Sequence, residues 1–210
     1  MILFLRTAGL GTNFALRLGE EELRLRREKF GPEHPDTLSA ISVLAISCYD
    51  AGRLQEALEL QEEVLRIRRD KLGSEHPDTL GSMHNLVISC ARARRMEEAL
   101  VWGQDLLRLS RGSRGQEHPG TLDAMTDLGR TLNALGRLPE ALALLRQGCN
   151  ETHVVAAAVR YNLACYDCLS GKFAEARRLI TEEIAANPAR KEPALQDFDL
   201  AAIHEFIRAL

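Results

Sequence analysis

The tripeptide Glu-His-Pro is written three times in this chain, at Glu33-His34-Pro35, Glu75-His76-Pro77 and Glu117-His118-Pro119, with 42 residues from each copy to the next. A Gly stands two residues before each copy (Gly31, Gly73, Gly115), and x-Thr-Leu follows each one. A catalytic motif has no need to recur at fixed intervals, so a spacing this regular is architecture. It marks a solenoid, in which each unit cannot bury its apolar face alone and must stack on its neighbours. That constraint moves the question of function from an active site to a surface.

A second ladder runs at the same offset. Gly52-Arg53-Leu54 leading to Glu56-Ala57-Leu58 is matched by Arg94-Arg95-Met96 leading to Glu98-Ala99-Leu100, and by Gly136-Arg137-Leu138 leading to Glu140-Ala141-Leu142. A fourth copy, Gly171-Lys172-Phe173 with Glu175-Ala176, comes 35 residues later instead of 42. Between the ladders Leu38, Ile41, Leu44, Ala45 and Cys48 form one stripe of an amphipathic helix, and Leu54, Ala57, Leu58, Val64, Leu65 and Ile67 form a second. Each unit therefore reads as helix A, turn, helix B. The composition agrees: 45% apolar but only 5% aromatic suits packed helices better than sheets. Pro opens helix A, where its missing N–H costs nothing. Gly52, Gly136 and Gly171 are expected to end it in the left-handed conformation, and Arg94 to sit there at a cost of about 1–2 kcal/mol.

The spacing places an array over residues 1–187, with a half-repeat at 12–30 and repeats at about 35–72, 77–114, 119–150 and 154–187. Residues 188–210 are expected to supply a linker at Lys191-Glu192-Pro193 and a capping helix over Asp199–Leu210, with Leu200, Ile203, Phe206 and Ile207 apolar. The half-repeat has only Met1–Leu10 as a partner, which is short and lacks the Glu-His-Pro start. Two alternatives stay open: a divergent cap, or a piece of a longer array. In either case Leu16, Leu23 and Leu25 are candidates for an exposed face seeking a missing helix.

A net charge of −3 gives no reason to expect nucleic acid. No run approaches the roughly 18 apolar residues of a membrane span, and the four-residue apolar run before Arg6 is too short for a signal-peptide core. Five cysteines without extracellular-type spacing point to a cytoplasmic setting. Cys165-Tyr166-Asp167-Cys168 has no second ligand pair, so helix packing is the stronger reading and no metal or cofactor is expected. Cys48 and Cys90 repeat at a core position. His34, His76 and His118 read as junction residues, spaced too widely for shared coordination. The basic run Arg66, Arg68, Arg69 and Lys71, set against Glu59, Glu62 and Glu63, reads as a solvated face. No nucleophile–base pair or phosphate loop can be assembled, so no enzyme is expected.

The Leu-Ala/Gly pair in mid-helix A, the Gly at its end and the Ala five residues on resemble the tetratricopeptide repeat: Leu44-Ala45, Gly52 and Ala57, then Leu128-Gly129, Gly136 and Ala141, then Leu163-Ala164, Gly171 and Ala176. The 42-residue period and the Gly-x-Glu-His-Pro-Asp-Thr-Leu junction are similar to the kinesin light chain and nephrocystin-3-like subclass. The resemblance implies an all-α, right-handed superhelical solenoid of antiparallel helix pairs. It also implies a non-enzymatic scaffold that takes a protein or peptide in a concave groove lined by helix A. Carried residue by residue, the groove would be lined by Tyr49, His84, Asn85, Ile88, Arg92, Asp127, Arg130, Asn133, Tyr161 and Asn162, with Val43, Ile46, Cys165, Cys168 and Leu169 at equivalent positions. Asn85 and Asn162 fall where relatives use an amide to hold a peptide backbone, a group that donates and accepts at once. Ser42, Gly81 and Asp123 do not supply the Lys and Arg of a chaperone-tail groove. The alternative is a regulatory or self-associating arm of a larger signalling protein, acting through the half-repeat.

Overall fold

The computed structural model of the chain describes residues 12–149 and 157–210, and every regular element among them is helical. The stretch 1–10 weighed as a partner helix, and the start of the fourth repeat at 154–156, lie outside the described residues. Helix α1 (Thr12–Phe30) precedes four helix pairs: α2 (Pro35–Asp50) with α3 (Leu54–Leu72), α4 (Pro77–Arg92) with α5 (Met96–Arg114), α6 (Pro119–Ala134) with α7 (Leu138–Cys149), and α8 (Ala157–Leu169) with α9 (Phe173–Ala186).

The three histidines of the junction ladder start helices by a direct bond. In each, the imidazole Nδ1 accepts from a backbone N–H of the first turn: Asp36 at 3.2 Å for His34, Asp78 at 3.2 Å for His76, and Gly120 at 3.0 Å for His118. The ring thus fills the place usually taken by Ser or Asp, and satisfies one of the donors that a helix start leaves open. Pro follows at the first helical position in all three. His76→Ala should cost about 1 kcal/mol, and His76→Asp should recover most of it, because a carboxylate caps equally well. Urea unfolding of the three chains checks this.

At the other end of helix A the chain turns through a left-handed residue. Gly52, Gly136 and Gly171 have φ of +77°, +75° and +79°, and Arg94 holds the same place at +62°, the one non-Gly residue with positive φ among those described. The bonds match a Schellman ending: Arg53 N–H donates to Cys48 O at 2.9 Å, and Arg95 N–H to Cys90 O at 2.9 Å. Repeat two keeps the geometry without the residue that suits it, so Arg94→Gly should raise the unfolding free energy by about 1 kcal/mol.

The chain divides into two compact units, residues 1–102 and 103–210, with the boundary inside α5. In the first, α1 packs on α2 and α2 on α3 around Leu16, Leu23, Leu38, Ile41, Leu44, Cys48, Val64 and Ile67. Each large aliphatic side chain buried there contributes about 1.5–3 kcal/mol. Leu16 and Leu23, expected to have an exposed face, are therefore core residues; of the three only Leu25 stays open, at 51%. They bury because α2 covers α1 on the side that those two share. Burial also raises the Cys48 and Cys90 thiols to about 11, which keeps them protonated packing groups.

In the second unit α6 packs on α7, and α8 packs on α6, α7 and α9. Beyond α9 come a 3-10 turn (Pro188–Arg190), α10 (Lys191–Gln196), a second 3-10 turn (Phe198–Ile203) and α11 (His204–Ala209). Two expectations need correction here. Lys191-Glu192-Pro193 is the first turn of a helix and not a linker, since Pro at the third position removes an N–H that has no intrahelical partner. The expected single helix over Asp199–Leu210 is broken into a 3-10 turn and a short α-helix. Leu200, Ile203 and Ile207 are nonetheless buried.

Candidate peptide-binding faces

Helix α2 buries Leu38, Ile41, Leu44, Ala45 and Cys48. That choice leaves Val43, Ile46 and Tyr49, three residues apart, on its other side. Val43 is 41% and Ile46 38% exposed, unusual for branched aliphatics in a helix whose other apolar residues are almost fully covered. On α4 the same arithmetic leaves His84 and Ile88 half-buried and Asn85 and Arg92 exposed. The Arg92 guanidinium lies over the Tyr49 ring, 5.2 Å from its centroid. The structure thus brings together two residues 43 apart in sequence. The face of this unit combines apolar side chains, one amide with donor and acceptor, and one planar cation pre-oriented by an aromatic ring.

In the second unit Asp127 on α6 is mostly buried, and its carboxylate stands 3.8 Å from the Arg130 guanidinium, which is 61% exposed. Asn133 is half-buried one turn further on. On α8 the polar groups are engaged within the unit. The Asn162 amide donates to Ala158 O at 2.8 Å, and the Tyr161 hydroxyl donates to Asp197 Oδ2 at 2.9 Å. The Arg190 guanidinium lies 5.9 Å from the Tyr161 ring centroid. Burial, and the bond to Asp197, push the Tyr161 phenol well above its usual value.

Cys165 and Cys168, at positions equivalent to the open Ile46 and the half-buried Tyr49, are buried, while Leu169 remains 46% exposed. The second 3-10 turn packs on α8 and covers them. The sequence predicts a cap over the exposed face of repeat four, but not cover on these groove positions. The spacing of Leu200, Ile203 and Ile207 announced an amphipathic segment, but nothing in it said which face it would take. The ligand atoms of Cys165, Asp197 and Asp199 lie within 4.8 Å of one another, a grouping with metal-ligand character. Here Asp197 already accepts from Tyr161, from the Cys165 thiol at 3.7 Å and from the Asp199 N–H at 3.0 Å. Desolvation, then the two carboxylates, drive the thiol far up. These hydrogen bonds account for the grouping as an attachment of the segment to α8.

A cleft of about 500 Å³ opens where the first junction meets the end of α3, lined by Phe30, His34, Leu38, Ile67, Lys71 and Leu72 among others. Its polar groups have partners: Lys71 pairs with Glu33 at 2.6 Å, and His34 caps α2 while stacking on Phe30 at 4.7 Å. No helix among the described residues is long and apolar enough to cross a membrane.

The family of the tetratricopeptide repeat matches residues 12–70, 38–111 and 78–150. Among solved structures, the chain is similar to a Podosopora anserina protein of kinesin light chain type built of nearly identical TPR-like repeats. The two share 28% identity at a TM-score of 0.75, over 90% of this chain and 92% of that one. A variant of that protein carrying one substitution aligns at 26% identity and a TM-score of 0.76, over 91% and 93%. BtubC (BKLC) from P. vanneervenii shares the fold at 19% identity and a TM-score of 0.71, over 88% of this chain and 76% of that one. No curated protein matches the sequence. Family and fold neighbours agree on an all-α helical repeat solenoid of kinesin light chain-like units.

Proposed function

We propose that this chain, which belongs to the tetratricopeptide repeat family, is a non-enzymatic scaffold that takes an extended peptide segment of a protein partner on its helix A faces. The family supports a protein-interaction scaffold, and the first unit supplies the observation that carries the finer reading. Val43 and Ile46 are exposed beside Tyr49, and Arg92 lies over that ring. An aliphatic or aromatic side chain of the ligand would cover Val43 and Ile46. The Asn85 amide would meet backbone groups, and Arg92 would pair with one carboxylate. In the second unit, taken by itself, Arg130, Asp127 and Asn133 offer the polar groups of α6, while Tyr161 and Asn162 on α8 are engaged by Asp197 and Ala158. Titrating a peptide library against the wild-type chain and an Asn85→Ala/Arg92→Ala chain tests the assignment, and equal binding by both would sink it.

A second reading, a self-associating arm, has its own observation. Phe14 and Leu25 on α1 are 53% and 51% exposed, on the helix that starts the described array. Under that reading, sedimentation shows a dimer that Phe14→Asp disperses; a monomer at every concentration rejects it.

A further inference from the structure

Helix α8 is helix A of the fourth pair, and the side it would turn to a ligand is taken by residues of the same chain. The 3-10 turn Phe198–Ile203 packs on α8 with Leu200 and Ile203 fully buried. Asp197, at the head of the turn, receives the Tyr161 hydroxyl at 2.9 Å and the Cys165 thiol at 3.7 Å. We infer that this side of α8 is a peptide-acceptor site held in cis by residues 197–203, and that its partner in trans is a peptide of the same pattern: a carboxylate, then aliphatic side chains three and six positions on. The inference deepens the peptide-binding reading and rests on it.

Three observations support the assignment. The acceptor positions are the ligand-facing ones by register: Cys165 corresponds to Ile46 of α2, which is 38% exposed, and Cys168 to the half-buried Tyr49. The attachment uses one carboxylate and two apolar side chains, which a separate peptide can copy without any covalent tie. Asp197 also caps its own turn, its Oδ1 accepting from the Asp199 N–H at 3.0 Å, so the link to α8 is made by its other oxygen, Oδ2. The segment itself consists of pieces of three to six residues, far shorter than a helix that stands alone in water, so its order comes chiefly from α8, with α9, α10 and α11 adding to it. Its root is fixed independently, because Arg190 Nη1 binds Glu183 Oε2 at 3.0 Å. Release of residues 197–203 from α8 would carry α11 with it, since Ile207 is buried and α11 packs on the turn, while the Arg190–Glu183 bond can keep the chain attached.

The test uses the full chain carrying Asp197→Ala/Leu200→Ala, with a fluorescent synthetic peptide copying residues 196–208 as the probe. A second readout is maleimide labelling of Cys165 and Cys168, resolved from Cys48, Cys90 and Cys149 by peptide mass. The variant is expected to bind the probe at least ten-fold more tightly than wild type, because the cis competitor is weakened. Its two thiols should label at least ten-fold faster, and the probe should suppress that labelling. A probe carrying the same two alanines should not bind. A variant with native helicity and fast-labelling thiols that fails to take the probe overturns the proposal and leaves the turn as an end cap. Should the double variant fail to fold, Tyr161→Phe in the intact chain serves. It should raise the labelling rate several-fold at unchanged helicity, and a wild-type rate overturns the proposal. Failure of the Asn85→Ala/Arg92→Ala test with probe capture intact would sink the α2/α4 assignment alone, and the reverse would sink only this one.

Discussion

Glu183→Ala is expected to lower the stability of the second unit by about 3 kcal/mol, as much as truncating a buried core leucine. The carboxylate is 2% exposed and is held from two sides, by Arg160 Nε at 2.6 Å from α8 and by Arg190 Nη1 at 3.0 Å from the segment beyond α9. Removing it leaves two guanidinium groups facing each other across the vacated space. Arg160, at 14% exposure, has little access to water, whereas Arg190, at 31%, has more; that puts the cost at the lower end of the range for breaking a buried pair. Glu183→Gln keeps the volume and one acceptor and should lose roughly half as much. Glu21, in contrast, pairs with Arg24 on the open surface of α1, and Glu21→Ala should leave the unfolding midpoint unchanged. Urea titrations of the three variants followed by circular dichroism give the ranking. Equal effects of Glu183→Ala and Glu21→Ala would contradict it.

The Asn85→Ala/Arg92→Ala chain is expected to lose at least about 30-fold in affinity for any peptide that the wild type selects from a library, or about 2 kcal/mol. The amide's backbone contact should supply about 1 kcal/mol, and a charge-assisted bond from Arg92 about 1.5 kcal/mol or more. Both side chains are exposed and contribute nothing to the core, so the loss should come without a change in stability. Arg92→Lys separates shape from charge. The Tyr49 ring under the guanidinium favours a planar cation, and Lys should recover only part of the affinity. A Tyr49→Ala chain should lose affinity through the same pair, because Arg92 would then be free to sample other rotamers.

The repeat, its helix boundaries and the left-handed turns were legible because they depend on local rules. Pro35, Pro77 and Pro119 can only begin a helix, and a Gly or the strained Arg94 can only end one in this geometry. The capping role of the histidines was half legible. Their position before Pro marked a junction, but the Nδ1 acceptor bond depends on a side-chain rotamer that spacing does not encode. The burial of Leu16 and Leu23 was misjudged because the half-repeat suggested a missing neighbour, while both join the core cluster that α2 and α3 build. The α8 surface was the largest miss. Cys165 and Cys168 occupy groove positions by register, and only the tertiary docking of a segment some 30 residues later buries them. Register along one helix says which way a side chain points. It does not say what the rest of the chain brings there.

The helix A faces, and not the Glu-His-Pro junctions, are the proposed contact with the ligand. Backbone amide shifts of the isotope-labelled chain, titrated with a library-selected peptide, tell the two apart residue by residue. The largest shifts are expected on Val43, Ile46, Tyr49, Asn85, Ile88 and Arg92. Shifts confined to the junctions at 31–36 and 73–78, with those six unmoved, would overturn the proposal.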